Sequence, residues 1–283
     1  MAQVSHLSLH SPAKINLTLH VTGRDGAGYH LLHSLVAFTN FGDTIHLSPK
    51  TGSTNTLKFT GAGQQDIDPA NNTVTQVIQA IDKFQNYDIH VEKRIPTQAG
   101  LGGGSSNAGA LIKHAIEKNM LSESKAYELA ARIGSDVPVC VRQTPCIMTG
   151  RGEILGPPLC LPRLYVVLVQ PDFSLSTPDV YHHVNLDACT APTVIPEEIS
   201  CPTAFETFLS GGQNDLSPAA TLANPRISEV LEEISSSTPA WYVQMTGSGS
   251  VCYGLYKSGE DAKKAGKALE NSVKKRIFTT NTL

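Results

Sequence analysis

The sequence lacks any apolar run of membrane-spanning length, which excludes a chain threaded through a bilayer by helices. It also lacks a dominant charge: 22 Lys and Arg stand against 25 Asp and Glu, a formal net charge of -3. That balance gives no electrostatic reason to expect nucleic acid or an anionic membrane as a partner. None of its six cysteines forms a C-x-x-C pair or a zinc-type spacing, so neither a redox dithiol nor a zinc site is expected. Cys140 and Cys252 lie in apolar runs, where cysteine acts as a small hydrophobe, and reduced thiols of a cytoplasmic protein are the simplest reading. Residues Met1 to His10 show neither a basic n-region nor an apolar h-region, so no secretory signal is expected. No lysine follows the glycines at 100–104, which removes a Walker-type P-loop. Ser105 stands where G-x-G-x-x-G needs its last glycine, which argues against a dinucleotide-binding fold.

What is present is a soluble composition, 40% hydrophobic and 17% charged over 283 residues, enough for one large domain or two ordinary ones. Its most informative stretch runs from Pro96 to Gly109 and places Gly100, Leu101, Gly102, Gly103, Gly104, Ser105 and Ser106 directly before a helical pattern. Ala108, Leu111, Ile112 and Ala115 repeat at i, i+3, i+4 and i+7, and Ser105, Ser106 and Asn107 can cap such a helix. Upstream, Tyr87, Ile89 and Val91 alternate as a strand. A glycine-rich loop between a strand and a helix N-terminus presents free N–H groups and a positive dipole end, which is an anion site. A flexible linker is the competing reading, and the flanking elements oppose it.

Elsewhere, alternation from Ala13 to Val21 predicts a half-buried strand with Lys14 and Asn16 on its polar face. Helices are expected over 73–84 with Asn72 before it, over 122–133 with Gly134 as its stop, and around Ile227–Ile234. A Gly- and Pro-rich passage at 150–162 breaks the pattern, 164–169 reads as a buried strand, and 189–201 reads as loop. Two strands flank Thr246-Gly-Ser-Gly-Ser250, which is either a backbone nest or a plain hairpin turn. The basic run Lys274-Lys275-Arg276 is expected to end a helix that includes Ala262, Ala265, Leu269 and Val273. Strands and helices interleave without regular βαβ repetition, which predicts an α+β protein of two halves, 1–155 and 156–283.

Taken singly, the polar candidates stay open. Lys14 is a solvated strand lysine or a buried functional cation. Asp136, in Gly134-Ser-Asp-Val-Pro138, is a helix cap or a catalytic carboxylate. Asn72 is a cap or a ligand contact, and His30 beside Tyr29 is a loop histidine or a recognition group. Ser176-Thr177-Pro178 with Tyr181 is polar, aromatic and loop-like.

Together, Pro12-Ala-Lys-Ile-Asn-Leu17, the 96–109 loop, Gly134-Ser-Asp-Val-Pro138 and the 246–250 loop have the order and spacing of the GHMP small-molecule kinases, which the chain resembles from Ser11 to about Tyr256. The resemblance implies a two-domain α+β fold, with an N-terminal ribosomal-protein-S5-like ATP-binding half, a C-terminal ferredoxin-like half and an active site in the cleft between them. It implies ATP and Mg²⁺ as cofactors, with no protein ligand for the metal assigned. Gly28-Tyr29-His30 points further, to an acceptor in which methylerythritol carries a cytidine diphosphate. Under that resemblance Asp136 accepts the hydroxyl proton and Lys14 offsets charge on the transferred phosphoryl group. Asn72, Pro96 and the loop from Gly100 to Ser106 bind ATP, while Asn16, Tyr29, His30, Thr177 and Tyr181 bind the acceptor. Three departures accompany it: Ala27 stands where the family usually has an acid, Ala99 where it has glycine, and Tyr181 where it commonly has phenylalanine. Rival readings are a kinase for another alcohol, such as homoserine or a mevalonate-type substrate, and a non-catalytic relative. Monomer and homodimer are both left open.

Overall fold

The computed structural model describes residues 7–52, 54–84, 86–270 and 275–283. The chain runs β1 (Leu7–Asn16), β2 (His20–Arg24), β3 (His30–Pro49), β4 (Thr56–Gly61), α1 (Thr73–Ala80), β5 (Tyr87–Lys93), α2 (Gly103–Glu117), α3 (Glu123–Ile133) and α4 (Val137–Arg142). It continues β6 (Cys146–Gly150), β7 (Ile154–Pro158), β8 (Tyr165–Gln170), α5 (Thr177–His182), α6 (Pro202–Ser210), α7 (Leu216–Ala223), α8 (Arg226–Ser237), β9 (Tyr242–Met245), β10 (Cys252–Tyr256), α9 (Gly259–Glu270) and β11 (Arg276–Asn281). Two compact units form. One holds Lys14 and the described residues before it, Phe41–Thr97 and Gly102–Gln143; the other holds Ile15–Asn40, Gln98–Leu101 and Thr144–Leu283.

In the first unit, β5 pairs antiparallel with the second half of β3 and parallel with β4. Ile45, Leu47, Ile89 and Val91 face Val74 and Val77 of α1, Leu111 and Ile112 of α2, and Val137 and Val141 of α4 in one apolar core. The apolar stripe of α2 is therefore what fixes the glycine loop at its head. Helix α1 is shorter than its sequence pattern, because Ile81 turns extended after Ala80.

In the second unit, the first half of β3 pairs antiparallel with β2 and with β6. A separate four-stranded sheet has the order β11-β8-β10-β9, with helices between β8 and β9 and α9 between β10 and β11. That order and chain path are ferredoxin-like, as expected for the C-terminal half. Its core joins Val167 and Val169 to Ile227, Val230 and Ile234 of α8 and Ala262, Ala265 and Leu269 of α9.

Several expectations need correction. The strand expected at 13–21 is two strands, because the Leu19 backbone bonds to Gln213 and Asp215 instead of continuing the ladder. Its polar side is not solvated: Lys14, Asn16, Thr18 and His20 are all buried. Hydrogen-bonded partners on that side make this possible; Asn16 donates to Ser34 Oγ, which donates to the Thr18 carbonyl. Strand β7 lies inside the passage expected to be irregular, and α5 inside the expected loop at 176–181. Both are too short for a periodic signal. Helix α9 ends at Glu270; Val273 and Lys274 lie outside the described residues, and Arg276 opens β11 instead of closing a helix. Among the described residues, no helix is long and apolar enough to cross a membrane.

Candidate active site

The first unit carries the ion pair to which the sequence assigned catalytic roles. Lys14, 3% exposed near the end of β1, places Nζ 2.9 Å from Asp136 Oδ2, and Asp136 is 32% exposed. Asp136 occupies the N-cap position of α4, yet its side chain makes no capping bond. The carboxylate pairs with the lysine instead, so the side-chain cap expected as one of the two readings does not form. Its other oxygen, Oδ1, makes no capping bond. The neighbouring Cys140 is inert: burial raises its thiol pKa, and the Asp136 charge pushes in the same direction.

The glycine loop opens its helix differently from expectation. The residue before α2 is Gly102, in the left-handed region at φ 65°, and the helix begins at Gly103. Ser105, Ser106 and Asn107 therefore lie inside the helix rather than capping it. The first helical bond runs from Ser106 N–H to the Gly102 carbonyl. The N–H groups of Gly103, Gly104 and Ser105 thus have no partner in the helix and remain available to an anion. Ser106 is buried; its hydroxyl donates to the Pro12 carbonyl at 2.6 Å, with Ser11 Oγ 3.0 Å away. It ties α2 to β1 two residues before Lys14, so its hydroxyl is engaged in the scaffold. Ser105, half-buried, carries the loop's hydroxyl without a hydrogen-bond partner among the described residues. Pro96 is buried at the loop's entry. Asn72 caps α1: Oδ1 accepts from Thr75 N–H, and Nδ2 donates to the carbonyls of Asp68 and Pro69. Those bonds engage its amide in the helix cap, the first of the two sequence readings.

A second buried ion pair, missed in the sequence, supports this loop. Lys93 closes β5 and pairs with Asp43, whose Oδ1 also accepts from the N–H groups of Arg94 and Ile95 at 2.7 Å each. A Cβ on Gly103 would approach Lys93 Nζ to 3.3 Å, so this cation lies beneath the head of α2. The signal was present: Lys93 falls on the apolar register of Tyr87, Ile89 and Val91, where a lysine needs a buried partner.

The second unit carries a separate group. Asn16 N–H donates to Thr246 Oγ1 at 3.0 Å, and Tyr253 OH donates to the Asn16 carbonyl. The 246–250 loop joins β9 to β10 as a packed hairpin, held by Asn214 Nδ2 bonds to the carbonyls of Met245 and Gly247. Gly100, at φ 73°, sits against it; a Cβ there would lie 2.9 Å from the Gly249 carbonyl oxygen and closer still to that of Thr246. Leu101 and Ala99 are buried beside it.

Thr177 and Tyr181 lie one turn apart on α5, and Thr177 Oγ1 is 2.9 Å from Ser248 Oγ. Tyr181 packs on His30, with ring centroids 5.0 Å apart and planes inclined by 32°. Arg24 Nε donates to His30 Nε2 at 3.1 Å, so the neutral ring carries its proton on Nδ1 as a donor. The His30 pKa is lowered, first by burial and then by the Arg24 charge, which keeps that neutral form. Tyr29 is 58% exposed, and the Arg151 guanidinium lies 4.1 Å from its ring centroid. Asp25 organises this loop: burial alone would raise its pKa, but bonds from Arg151 and from the Tyr29 and Ala27 N–H groups outweigh it and lower the value. No group of three His, Cys, Asp or Glu suited to a metal occurs among the described residues.

Comparison with known proteins shows the family. A family model for the GHMP kinases N terminal domain matches residues 72–144, and one for the GHMP kinases C terminal matches 202–275. The chain is similar to 4-diphosphocytidyl-2-C-methyl-D-erythritol kinase of Paramagnetospirillum magneticum, 36% identical over 276 residues and 94% of each chain. It is likewise similar to the enzyme of that name from Ruegeria pomeroyi, 37% identical over 262 residues and 92% of each chain. Among solved structures, a 4-(cytidine 5'-diphospho)-2C-methyl-D-erythritol kinase superposes with a TM-score of 0.78 at 29% identity, covering 97% of this chain and 99% of that one. The L. major mevalonate kinase, in complex with R-mevalonate, reaches 0.72 at 14% identity, covering 100% and 98%, and shares the fold alone.

Proposed function

The chain belongs to the GHMP kinase family, and from that premise we propose that it transfers the γ-phosphoryl group of ATP to the 2-hydroxyl of 4-diphosphocytidyl-2-C-methyl-D-erythritol. The products are the 2-phosphate and ADP, within the non-mevalonate route to isoprenoid precursors. Relatives of that name, matched over more than nine-tenths of each chain, support the substrate. The Lys14–Asp136 pair at 2.9 Å carries the chemistry. We assign 1–155 and 156–283 as the two family domains; each matched segment falls within one of them. Cytoplasmic location and small-molecule partners, without nucleic acid or membrane, complete the reading.

An alcohol is a weak nucleophile at neutral pH, so a carboxylate held within hydrogen-bond reach assists by taking its proton; such help is typically worth about 10²–10⁴ in rate. Asp136 performs this step, through the oxygen that does not face Lys14. Lys14 stays bonded to Oδ2 and offsets the charge that gathers on the transferred phosphoryl oxygens. The N–H groups of Gly103, Gly104 and Ser105 hold phosphate oxygens, aided by the helix dipole and by Lys93 beneath. Alignment and electrostatics are most of what phosphoryl transfer asks of a protein. Mg²⁺ supplies charge neutralisation between phosphates when bound. It takes few protein ligands, and the unpartnered Ser105 hydroxyl is a donor suited to it. Tyr29 and Tyr181 stack the cytosine ring, and His30 Nδ1–H donates to an acceptor on its edge. Asn16 and Thr177 lie toward the hydroxyl and phosphate groups of the acceptor.

A panel of alcohols in an ATP-consumption assay tests the reading. Turnover is expected with the cytidyl substrate and not with homoserine or mevalonate. Absence of a rate with the cytidyl substrate would end it.

A further inference from the structure

We propose that Arg151 is a positioning residue for the nucleobase end of the acceptor, acting through Tyr29. The proposal rests on the reading of Tyr29 as a stacking platform. Arg151 stands in the turn between β6 and β7, outside the short motifs quoted for the family resemblance. The register Leu32↔Gly150 between β3 and β6 sets this turn beside the loop that precedes β3.

Tyr29 has a problem that Arg151 solves. It sits on a short loop with two glycines, 58% exposed, where an aromatic ring samples several rotamers. A platform that must be ordered at each binding event loses affinity to that ordering. Here both backbone and ring are held in advance. Asp25 Oδ1 accepts from Ala27 N–H at 2.9 Å and Tyr29 N–H at 3.0 Å, and Asp25 N–H donates to the Tyr29 carbonyl at 2.9 Å. Arg151 grips the same carboxylate, with Nε 2.7 Å and a terminal nitrogen 2.6 Å from Oδ2. Its guanidinium then covers one face of the Tyr29 ring at 4.1 Å. The arginine is itself set by its N–H bond to Glu153 Oε2 at 2.7 Å. One face of the tyrosine is thus filled by a planar cation, and the other is left for a planar base. The acid that the family pattern places at 27 is absent here; Asp25 provides a carboxylate from two residues earlier, and Arg151 is its counter-ion.

Steady-state kinetics with a coupling cycle tests this. Arg151→Ala should raise the KM for the cytidyl substrate about three- to tenfold, leave the KM for ATP unchanged, and keep kcat within about twofold. In a Tyr29→Ala background the same substitution should add little, because the residue acts through the ring. Arg151→Lys, which keeps the charge but not the planar fork, should rescue only part of the loss. Calorimetric titration with cytidine 5'-diphosphate should show the same weakening without turnover. An unchanged KM, an equal rise in both KM values, or fully additive effects of the two substitutions would overturn the proposal. If Arg151→Ala does not fold, the Arg151→Lys comparison decides on the same criteria. A wild-type protein inactive on the cytidyl substrate refutes the wider function instead, and is seen before any variant is made.

Discussion

The two groups of site residues are built on opposite plans. The Lys14–Asp136 set in the first unit is mostly buried and largely made of backbone: a lysine 3% exposed, a helix N-terminus, and a second buried ion pair beneath it. The set in the second unit presents side chains on loops and a six-residue helix, with Tyr29 mostly exposed and Arg151 44% exposed. Charge chemistry gains from the first plan, because fixed dipoles and ions act more strongly where water is excluded. Recognition of a flat base needs area and shape, which exposed rings supply. Substitutions in the first set should therefore change turnover, and those in the second should change KM.

The sharpest break of this contrast is Asp136→Asn. The amide can still accept from Lys14 but cannot take up a proton at Oδ1. Turnover should fall by at least about two orders of magnitude with a modest change in the KM for ATP. Thermal unfolding run alongside checks that the fold is retained. Near-normal turnover would remove Asp136 from the role of base. The next largest effect belongs to Gly100→Ala. A left-handed φ of 73° costs an alanine roughly 1–2 kcal/mol, and its Cβ would strike the 246–250 hairpin. Melting should drop by roughly 4–8 °C for a loss of about 2 kcal/mol. An unchanged melting temperature would show that the hairpin yields.

The first plan was far more legible in the sequence than the second. A glycine loop leading into an amphipathic stripe can be read from spacing alone, since backbone N–H groups need no particular side chains. Even there the helix start was misplaced by several residues, because Ser105 and Ser106 look like caps while the left-handed Gly102 does the work. Lys14 and Asp136 were found by motif order, yet only coordinates show that the Asp136 side chain pairs with the lysine and does not cap α4. Arg151 and Asp25 were not legible as a pair. They are 126 residues apart, and nothing in either local pattern demands the other. Lys93 could have been found, since it occupies an apolar register position, but its partner Asp43 could not.

Within the second set, Tyr181→Ala sharpens the contrast from the recognition side. Loss of the ring that packs on His30 at 5.0 Å should raise the KM for the cytidyl substrate by roughly tenfold while that for ATP stays within about twofold. Equal changes in both would count against a stacking role and would blur the division between the two plans.

The smallest effect separates burial from function inside one unit. His20 and His33 are direct cross-strand partners on β2 and β3, with ring centroids 6.4 Å apart. Neither His20 Nε2 nor His33 Nδ1 has a hydrogen-bond partner among the described residues. Burial lowers the His20 pKa below its ordinary 6.5, and the attraction of Asp215 and the bond with Thr190 only partly oppose it. Burial and the neighbouring His20 lower His33 in the same direction. A base whose folded pKa is depressed binds its proton first in the unfolded chain. Its stabilising contribution is therefore complete above about 6.5 and is lost as pH falls below that value toward the folded pKa. The melting temperature should decline between pH 7 and pH 5, and His20→Gln should flatten that decline. Turnover measured over the same range need not follow it, because neither histidine belongs to the proposed machinery. A variant as acid-sensitive as the parent would show that the loss arises elsewhere, with His114, also lowered by burial, as the next group to replace.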